Sequence, residues 1–151
     1  MDVKQGNLNN SYFVNSLSVL AESNNRIAKL FSKIDQDSYN FGVYEVNFAI
    51  DGEMMQIIVD DLIFTDQYFP AFASGKLWVV LLEKAWAKLH GSYFNSEHGL
   101  AHEALRDITG APSYEFIINK DKDKMIEIIF DGRQKGFCLS ISTGDADAKK
   151  A

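Results

Sequence analysis

The stretch Leu77-Trp78-Val79-Val80-Leu81-Leu82-Glu83-Lys84-Ala85-Trp86-Ala87-Lys88-Leu89 is the clearest helical segment of the sequence. Its apolar residues recur at the three- and four-residue spacing that places side chains on one face of an α-helix. That face consists of Trp78, Leu81, Leu82, Ala85 and Leu89, widened by Trp86. We assign Glu83, Lys84 and Lys88 to the solvent-exposed face. We therefore predict a helix from Leu77 to Leu89, ended by a left-handed cap at Gly91.

Further segments also predict helices. Apolar residues at helical spacing run from Ser11 to Glu22, behind a group of asparagines that favour turns and N-caps. Shorter helical patterns cover Arg26–Ser32, Glu103–Thr109 and Lys124–Gln134.

One β-hairpin is predicted in the first half of the chain. Gly42–Ile50 and Glu53–Asp60 alternate in polarity and are rich in Val, Ile and Phe, and the Asp51-Gly52 pair between them is a strong hairpin signal. We predict a loop from Leu62 to Gly75 and a buried strand from Gly136 to Ser142. The expected fold class is α+β, mainly helical with a small antiparallel hairpin.

The composition is that of a folded acidic protein. With 151 residues, 46% of them hydrophobic, the chain can form one compact core. The net charge of −6 argues against nucleic acid or an anionic membrane as the main partner, since both attract basic patches. A single cysteine, Cys138, excludes a disulfide within these residues, and we expect neither a membrane-spanning segment nor a signal peptide. We expect a cytoplasmic protein.

Several blocks resemble the protease core of the calpain family, in the family's order over roughly residues 2 to 142. Gln5–Tyr12 (QGNLNNSY) is similar to the family's Q-G-x-L-G-D-C-W/Y, in which the cysteine opens the central helix. Val59–Leu62 is similar to V-D-D-x-(L), and Leu77–Tyr93 to (F/L)-W-x-x-L-L-E-K-A-(Y/W)-A-K-x-x-G-S-Y. Glu103–Gly110 is similar to E-x-x-x-D-x-T-G, and Lys135-Gly136 precedes an apolar segment as in the family.

The resemblance implies a papain-like core made of two subdomains. Residues 1–143 would form the first, mainly helical subdomain, and residues 144–151 a polar tail. The second subdomain would supply the catalytic histidine in a G-H-A-Y type motif and the asparagine in an N-P-W-G type motif. Neither motif occurs in this sequence.

The resemblance places Ser11 at the nucleophile position and Gln5 at the oxyanion-donor position. The papain-like mechanism needs a thiolate at a helix N-terminus, and a serine hydroxyl does not ionise near neutral pH. The alternative interpretation is that Ser11 is only the N-cap of its helix. Asn9 and Asn10 replace the Gly-Asp of the family, which favours natural divergence over an engineered substitution.

Calpains also bind calcium in this subdomain, through an Asp before the oxyanion glutamine and a Glu before the F/L-W pair. Asp2 fits the first position, but Lys76 occupies the second, and an ammonium group repels calcium. We therefore expect no cofactor and a dead calcium site, in which Lys76 pairs with Asp2.

The remaining reactive side chains predict no second site. His90, His98 and His102 are interpreted as surface residues rather than bases for Ser11, and Cys138 as an inert core thiol.

Two functions are compatible with these features. The first is a catalytically inactive calpain-like module that binds a protein partner or a second protease subdomain through the face near Gln5, Ser11, Tyr12 and Trp78. The second is part of an active calcium-dependent cysteine endopeptidase whose second subdomain lies outside this chain. The sequence leaves it uncertain whether the chain takes part in catalysis.

Overall fold

The computed structural model describes residues 3–33, 37, 40–66, 69–116 and 122–142. They belong to two compact units, Met1–Glu115 and Phe116–Ala151. Among the described residues, none of the helices is both long and apolar enough to cross a membrane. The predicted tail at residues 144–151 and its boundary at residue 143 lie outside the described part of the chain.

The α+β prediction is confirmed. Within the described residues, the first unit contains four α-helices whose bounds are described, a 3-10 helix and three antiparallel strand pairs. The helices are α1 (Ser11–Leu20), α2 (Asn24–Ala28), α3 (Leu77–Leu89) and α4 (Ala101–Thr109), with the 3-10 helix at Phe94–Ser96. The strands are β1 (Val3–Lys4), β2 (Val43–Ile50), β3 (Glu53–Asp60), β4 (Thr65–Asp66), β5 (Phe69–Pro70) and β6 (Ser74–Gly75). The pairs are β1 with β6, β2 with β3, and β4 with β5.

Helices α1 and α3 bring the central core residues together. Phe13 of α1 is fully buried and stacks on Trp86 of α3 with the ring centroids 4.8 Å apart. Phe48 of β2 meets the same indole edge-on at 5.4 Å. These aromatic contacts add specific geometry to the burial of apolar surface and fix how the two helices and the hairpin pack.

Helix α3 has the predicted bounds but a wider buried face. Val79, Val80 and Ala87 are buried together with the predicted Leu81, Leu82, Ala85 and Trp86. The assignment of Glu83 to the solvent-exposed face is wrong, because its side chain is only 1% exposed. Lys88 is exposed as predicted, and Lys84 is half-buried.

The β2–β3 hairpin is confirmed, with β2 beginning at Val43 rather than at the predicted Gly42 and the other three strand ends as predicted. Its register pairs Ile50 with Glu53 across Asp51 and Gly52, which both have positive φ (51° and 83°). Positive φ at both central residues is the geometry of the tight hairpin turns that Asp-Gly favours.

The structure differs from the prediction in two segments, because parts of them are extended and pair with neighbouring backbone. The segment predicted as helix at Arg26–Ser32 is helical only over Asn24–Ala28, since Phe31 bridges to Val46 and Ser32 N–H donates to Glu45 O at 3.0 Å. The predicted loop at Leu62–Gly75 contains β4, β5 and β6, because each of these two-residue strands is paired.

The second unit contains α5 (Lys122–Gln134) and the segment that follows it. The predicted strand at Gly136–Ser142 is wrong: within residues 122–142 the chain turns back instead, and Phe137 N–H donates to Gly132 O at 2.9 Å. Residues 137–142 are not assigned to a strand, and the described part of this unit contains no strand pairing. Cys138 is therefore half-buried rather than part of a core strand.

Candidate functional site

The turn at residues 5–10, called the site turn below, connects the two predicted catalytic positions. It begins behind β1, whose pairing with β6 sets Lys4 opposite Ser74. Asn7 N–H donates to Ala71 O at 3.2 Å. At Gly6 the turn passes so close to Phe72 that an added Cβ would lie 2.0 Å from its carbonyl oxygen. The site turn is thus held against the 71–75 segment by backbone contacts that only glycine allows at residue 6.

Ser11 is the first residue of α1 and is exposed. The interpretation of Ser11 as the N-cap is wrong by one residue, because Asn10 occupies that position with φ −115° and ψ 34°. Asn10 O accepts from Phe13 N–H and Val14 N–H at 2.9 and 3.1 Å, whereas its side chain makes no capping hydrogen bond. Ser11 therefore lies where backbone N–H groups at the helix N-terminus favour negative charge.

Gln5 is exposed and its amide faces back into the site turn. Gln5 Nε2 donates to Leu8 O at 2.7 Å, so one of the two amide protons is engaged by the turn's own backbone. No described histidine side chain hydrogen-bonds to Ser11. The site turn therefore joins the two predicted positions, and none of the described histidines is hydrogen-bonded to the Ser11 hydroxyl as a base. Asp2 lies outside the described residues.

The segment at residues 96–101 fixes the other side of the site turn. His98 N–H donates to Asn9 O at 3.0 Å, and Asn9 N–H donates to Glu97 Oε1 at 3.3 Å. Tyr12 OH donates to Ser96 O at 3.0 Å. His98 holds a positive φ of 57°, a conformation that a non-glycine residue adopts only where its surroundings require it.

Tyr12 points inward rather than toward a binding surface. Its hydroxyl accepts from Trp86 Nε1 at 3.0 Å, and burial raises the pKa of the phenol. A Cβ on Gly99 would lie 2.6 Å from its ring. Of the four residues of the predicted binding face, Gln5 and Ser11 are exposed, Trp78 is half-buried, and Tyr12 is a structural connection from α1 to α3.

Glu83 is the residue that the sequence interpretation missed. Its Oε1 accepts from Asn10 Nδ2 at 2.6 Å, and its Oε2 accepts from Ala73 N–H at 2.8 Å. Burial raises the pKa of this carboxyl, although both hydrogen bonds oppose the shift. The available signal was its position: buried residues lie three or four places away on both sides, at Val79, Val80, Trp86 and Ala87.

The other candidate residues do not gather at the site. His90 is exposed as a residue, but its ring packs edge-on against Trp86 at 4.6 Å, and this partial burial of the imidazole lowers its pKa. His98 is exposed, and His102 is half-buried. Among the described residues, no group of three or more His, Cys, Asp or Glu side chains could hold a metal ion. Lys76 is the exposed N-cap of α3, so the residues present at this position do not fit calcium.

Comparison with known proteins identifies relatives of this chain. The family model described as "Calpain family cysteine protease" matches residues 1–151. The chain is 42% identical over 120 residues to "Calpain-type cysteine protease ADL1" of Oryza sativa subsp. japonica, covering 76% of this chain and 5% of that protein. It is 30% identical over 153 residues to "Calpain clp-4" of Caenorhabditis elegans, covering 97% of this chain and 21% of that protein. For "Calpain-9" of Rattus norvegicus the identity is 28% over 156 residues, covering 99% and 22%. The chain thus spans between a twentieth and about a fifth of the length of these relatives.

Proposed function

The chain belongs to the calpain family of cysteine proteases, and we propose that it is a catalytically inactive first subdomain that serves as a binding or regulatory module. Its proposed partner is a protein segment or a second protease subdomain, bound at the face that carries Gln5 and Ser11. The net charge of −6 supports a protein partner over nucleic acid or an anionic membrane, and we propose a cytoplasmic location.

The observation that carries this proposal is a serine hydroxyl at the nucleophile position. A helix N-terminus stabilises a negative charge by about 0.3–1 kcal/mol, less than one pKa unit at about 1.4 kcal/mol. That suffices to help ionise a thiol but not an aliphatic hydroxyl at neutral pH. Serine nucleophiles instead rely on a hydrogen-bonded base, and no described histidine side chain bonds to Ser11.

Two further features support inactivity. Gln5, at the proposed oxyanion position, spends one amide proton on Leu8 O. We propose that calcium dependence is also lost, since Lys76 places an ammonium group where the family has a carboxylate and leaves Asp2 as a vestigial position.

A second candidate function is part of an active calcium-dependent cysteine endopeptidase whose second subdomain lies outside this chain. The local structure favours it: Ser11 begins a helix at the end of the turn that starts at Gln5, and the site turn is held on both sides. Such a scaffold is what positions a nucleophile and oxyanion donors in acyl transfer.

The test restores the thiol and supplies the missing half. Ser11→Cys and the matched control Ser11→Ala are each mixed with the second subdomain of an animal calpain. Calorimetry measures binding, and a peptide substrate measures turnover with and without calcium.

The module proposal expects all three chains to bind alike, with no turnover by the natural chain or the alanine variant. Turnover by the natural Ser11 chain would overturn it, and absence of binding would remove the proposed partner. Turnover by Ser11→Cys alone would locate the loss of activity in the serine, and dependence of that turnover on calcium would overturn the proposed loss of calcium dependence.

A further inference from the structure

Glu83 is a buried carboxylate that connects two segments far apart in sequence. Asn10 precedes it by 73 residues and Ala73 by 10, yet each donates a hydrogen bond to one of its two carboxylate oxygens. Asn10 directly precedes Ser11, and Ala73 directly precedes β6, which pairs with the strand leading to Gln5. One side chain therefore holds both ends of the site turn.

The surroundings of Glu83 contain no compensating cation. Among the described residues, no ammonium or guanidinium group lies within 4.0 Å of its carboxylate. The adjacent Lys84 instead pairs with Asp60 of β3 at 2.7 Å.

The other described groups close to the Glu83 carboxylate carry no positive charge. Tyr93 beside the 3-10 helix stays neutral, because burial, the Glu83 charge and the Asp60 charge raise its pKa to about 12. The site turn contributes only the neutral Asn10 amide, and the 71–75 segment only a backbone N–H. Burial without a cation favours the protonated form of a carboxyl.

Asn10 supplies the matching acceptor for such a proton. Its side chain is fully buried, and its Oδ1 has no hydrogen-bond partner, although the Nδ2 of the same amide lies 2.6 Å from Glu83. A primary amide and a carboxylic acid can form two parallel hydrogen bonds, N–H to C=O and O–H to C=O. Only the protonated form of Glu83 has an O–H group that can donate to the unpartnered Asn10 Oδ1.

We propose that Glu83 is a proton-operated positioning residue for the site turn. Ionised, it accepts from Asn10 and Ala73; when it takes a proton from solvent, the new O–H donates to Asn10 Oδ1 and secures the turn in front of Ser11. Because the folded chain binds this proton more tightly than the unfolded chain, its contribution to stability is complete below the ordinary glutamate pKa and is lost as pH rises through the folded pKa. The inference does not depend on whether the site face binds a partner.

The experiment follows the Glu83 carboxyl directly by carbon NMR between about pH 4 and about pH 8. The Glu83 carboxyl resonance is expected to titrate above 4.5, the ordinary glutamate value. The backbone amide resonances of Asn10 and Ser11 are expected to shift with the same midpoint.

Two variants provide the matched comparison. Glu83→Gln carries a permanent amide donor in place of the acid, so the pH-dependent shift at Ser11 is expected to vanish while the chain stays folded. Glu22→Gln changes an exposed carboxyl beyond the far end of α1 and is expected to leave that shift intact.

Titration of Glu83 at or below 4.5, or Ser11 resonances that do not follow it, would overturn the proposal. If Glu83→Gln does not fold, the titration of the natural chain still decides.

Discussion

The site turn and the turn of the β2–β3 hairpin are both short and both contain a glycine, but they are held in different ways. The hairpin turn is fixed locally: Asp51 and Gly52 both have positive φ, and an added Cβ on Gly52 would meet nothing within 4 Å. The site turn is fixed from outside. Asn9 and Asn10 are bound by Glu97 and Glu83, which lie 88 and 73 residues further along the chain.

This difference shows which of the two turns depends on the rest of the fold. A hairpin turn needs only the right two residues, whereas the site turn needs Phe72, Glu83 and the 96–99 segment to be in place together. In this chain the support holds the turn in front of Ser11, and with it the exposed face at Gln5 and Ser11.

The largest expected effect is at the external support of the site turn. Glu83→Ala removes the acceptor for Asn10 Nδ2 and for Ala73 N–H and leaves a cavity, so the free energy of unfolding should fall by about 4 kcal/mol. Urea denaturation at neutral pH measures it. Glu53→Ala, an exposed carboxyl in the hairpin, is the control and should change stability by less than about 0.5 kcal/mol. If Glu83→Ala lowered the free energy of unfolding by no more than Glu53→Ala, Glu83 would not be an important support of the site turn.

The two glycines make the contrast direct. Gly6→Ala places a methyl group against the Phe72 carbonyl, and the backbone of both segments must shift, so we expect a loss of about 3 kcal/mol. Gly52→Ala meets no atom and costs only its positive φ, about 1 kcal/mol. Thermal unfolding of both variants measures the difference. Equal losses would mean that the site turn is no more dependent on its surroundings than the hairpin.

The same contrast explains what the sequence could predict. Local patterns predicted the hairpin with its turn and the bounds of α3, because alternation, an Asp-Gly pair and helical spacing act within a few residues. The positions of Ser11 and Gln5 followed from resemblance. The burial of Glu83 was missed because a carboxylate is assigned to solvent unless its partners are known, and those partners, Asn10 and the Ala73 N–H, lie outside its helix. The strand predicted around Cys138 was wrong for the converse reason, since an apolar run alone does not supply a pairing partner.

Asn10→Asp restores the residue that the resemblance places there and should create a pH-dependent weakness. Two carboxylates would then lie at the 2.6 Å contact that Asn10 and Glu83 now make, and they cannot both ionise. The folded pKa of the pair rises above the unfolded value, so stability is lost as pH rises through it and is recovered in acid. We expect a loss of about 2 kcal/mol at neutral pH that shrinks as pH falls. Asn15→Asp on the exposed face of α1 is the control. The midpoints of urea denaturation of the two variants, measured between about pH 4 and about pH 8, test the effect.

The smallest expected effect compares two half-buried tyrosines. The Tyr12 hydroxyl links Trp86 Nε1 to Ser96 O, so Tyr12→Phe leaves a donor and an acceptor without partners and should cost about 1 kcal/mol. Tyr93 packs its ring on Phe72 at 4.2 Å, and no hydrogen bond of its hydroxyl is present among the described residues, so Tyr93→Phe should change stability by less than about 0.5 kcal/mol. Thermal unfolding of the two variants measures the difference. A larger loss for Tyr12→Phe than for Tyr93→Phe would show that the hydrogen bonds of the Tyr12 hydroxyl stabilise the start of α1. Equal losses would reduce Tyr12 to a packing residue and leave Glu83 and the 97–98 segment as the supports of the site turn.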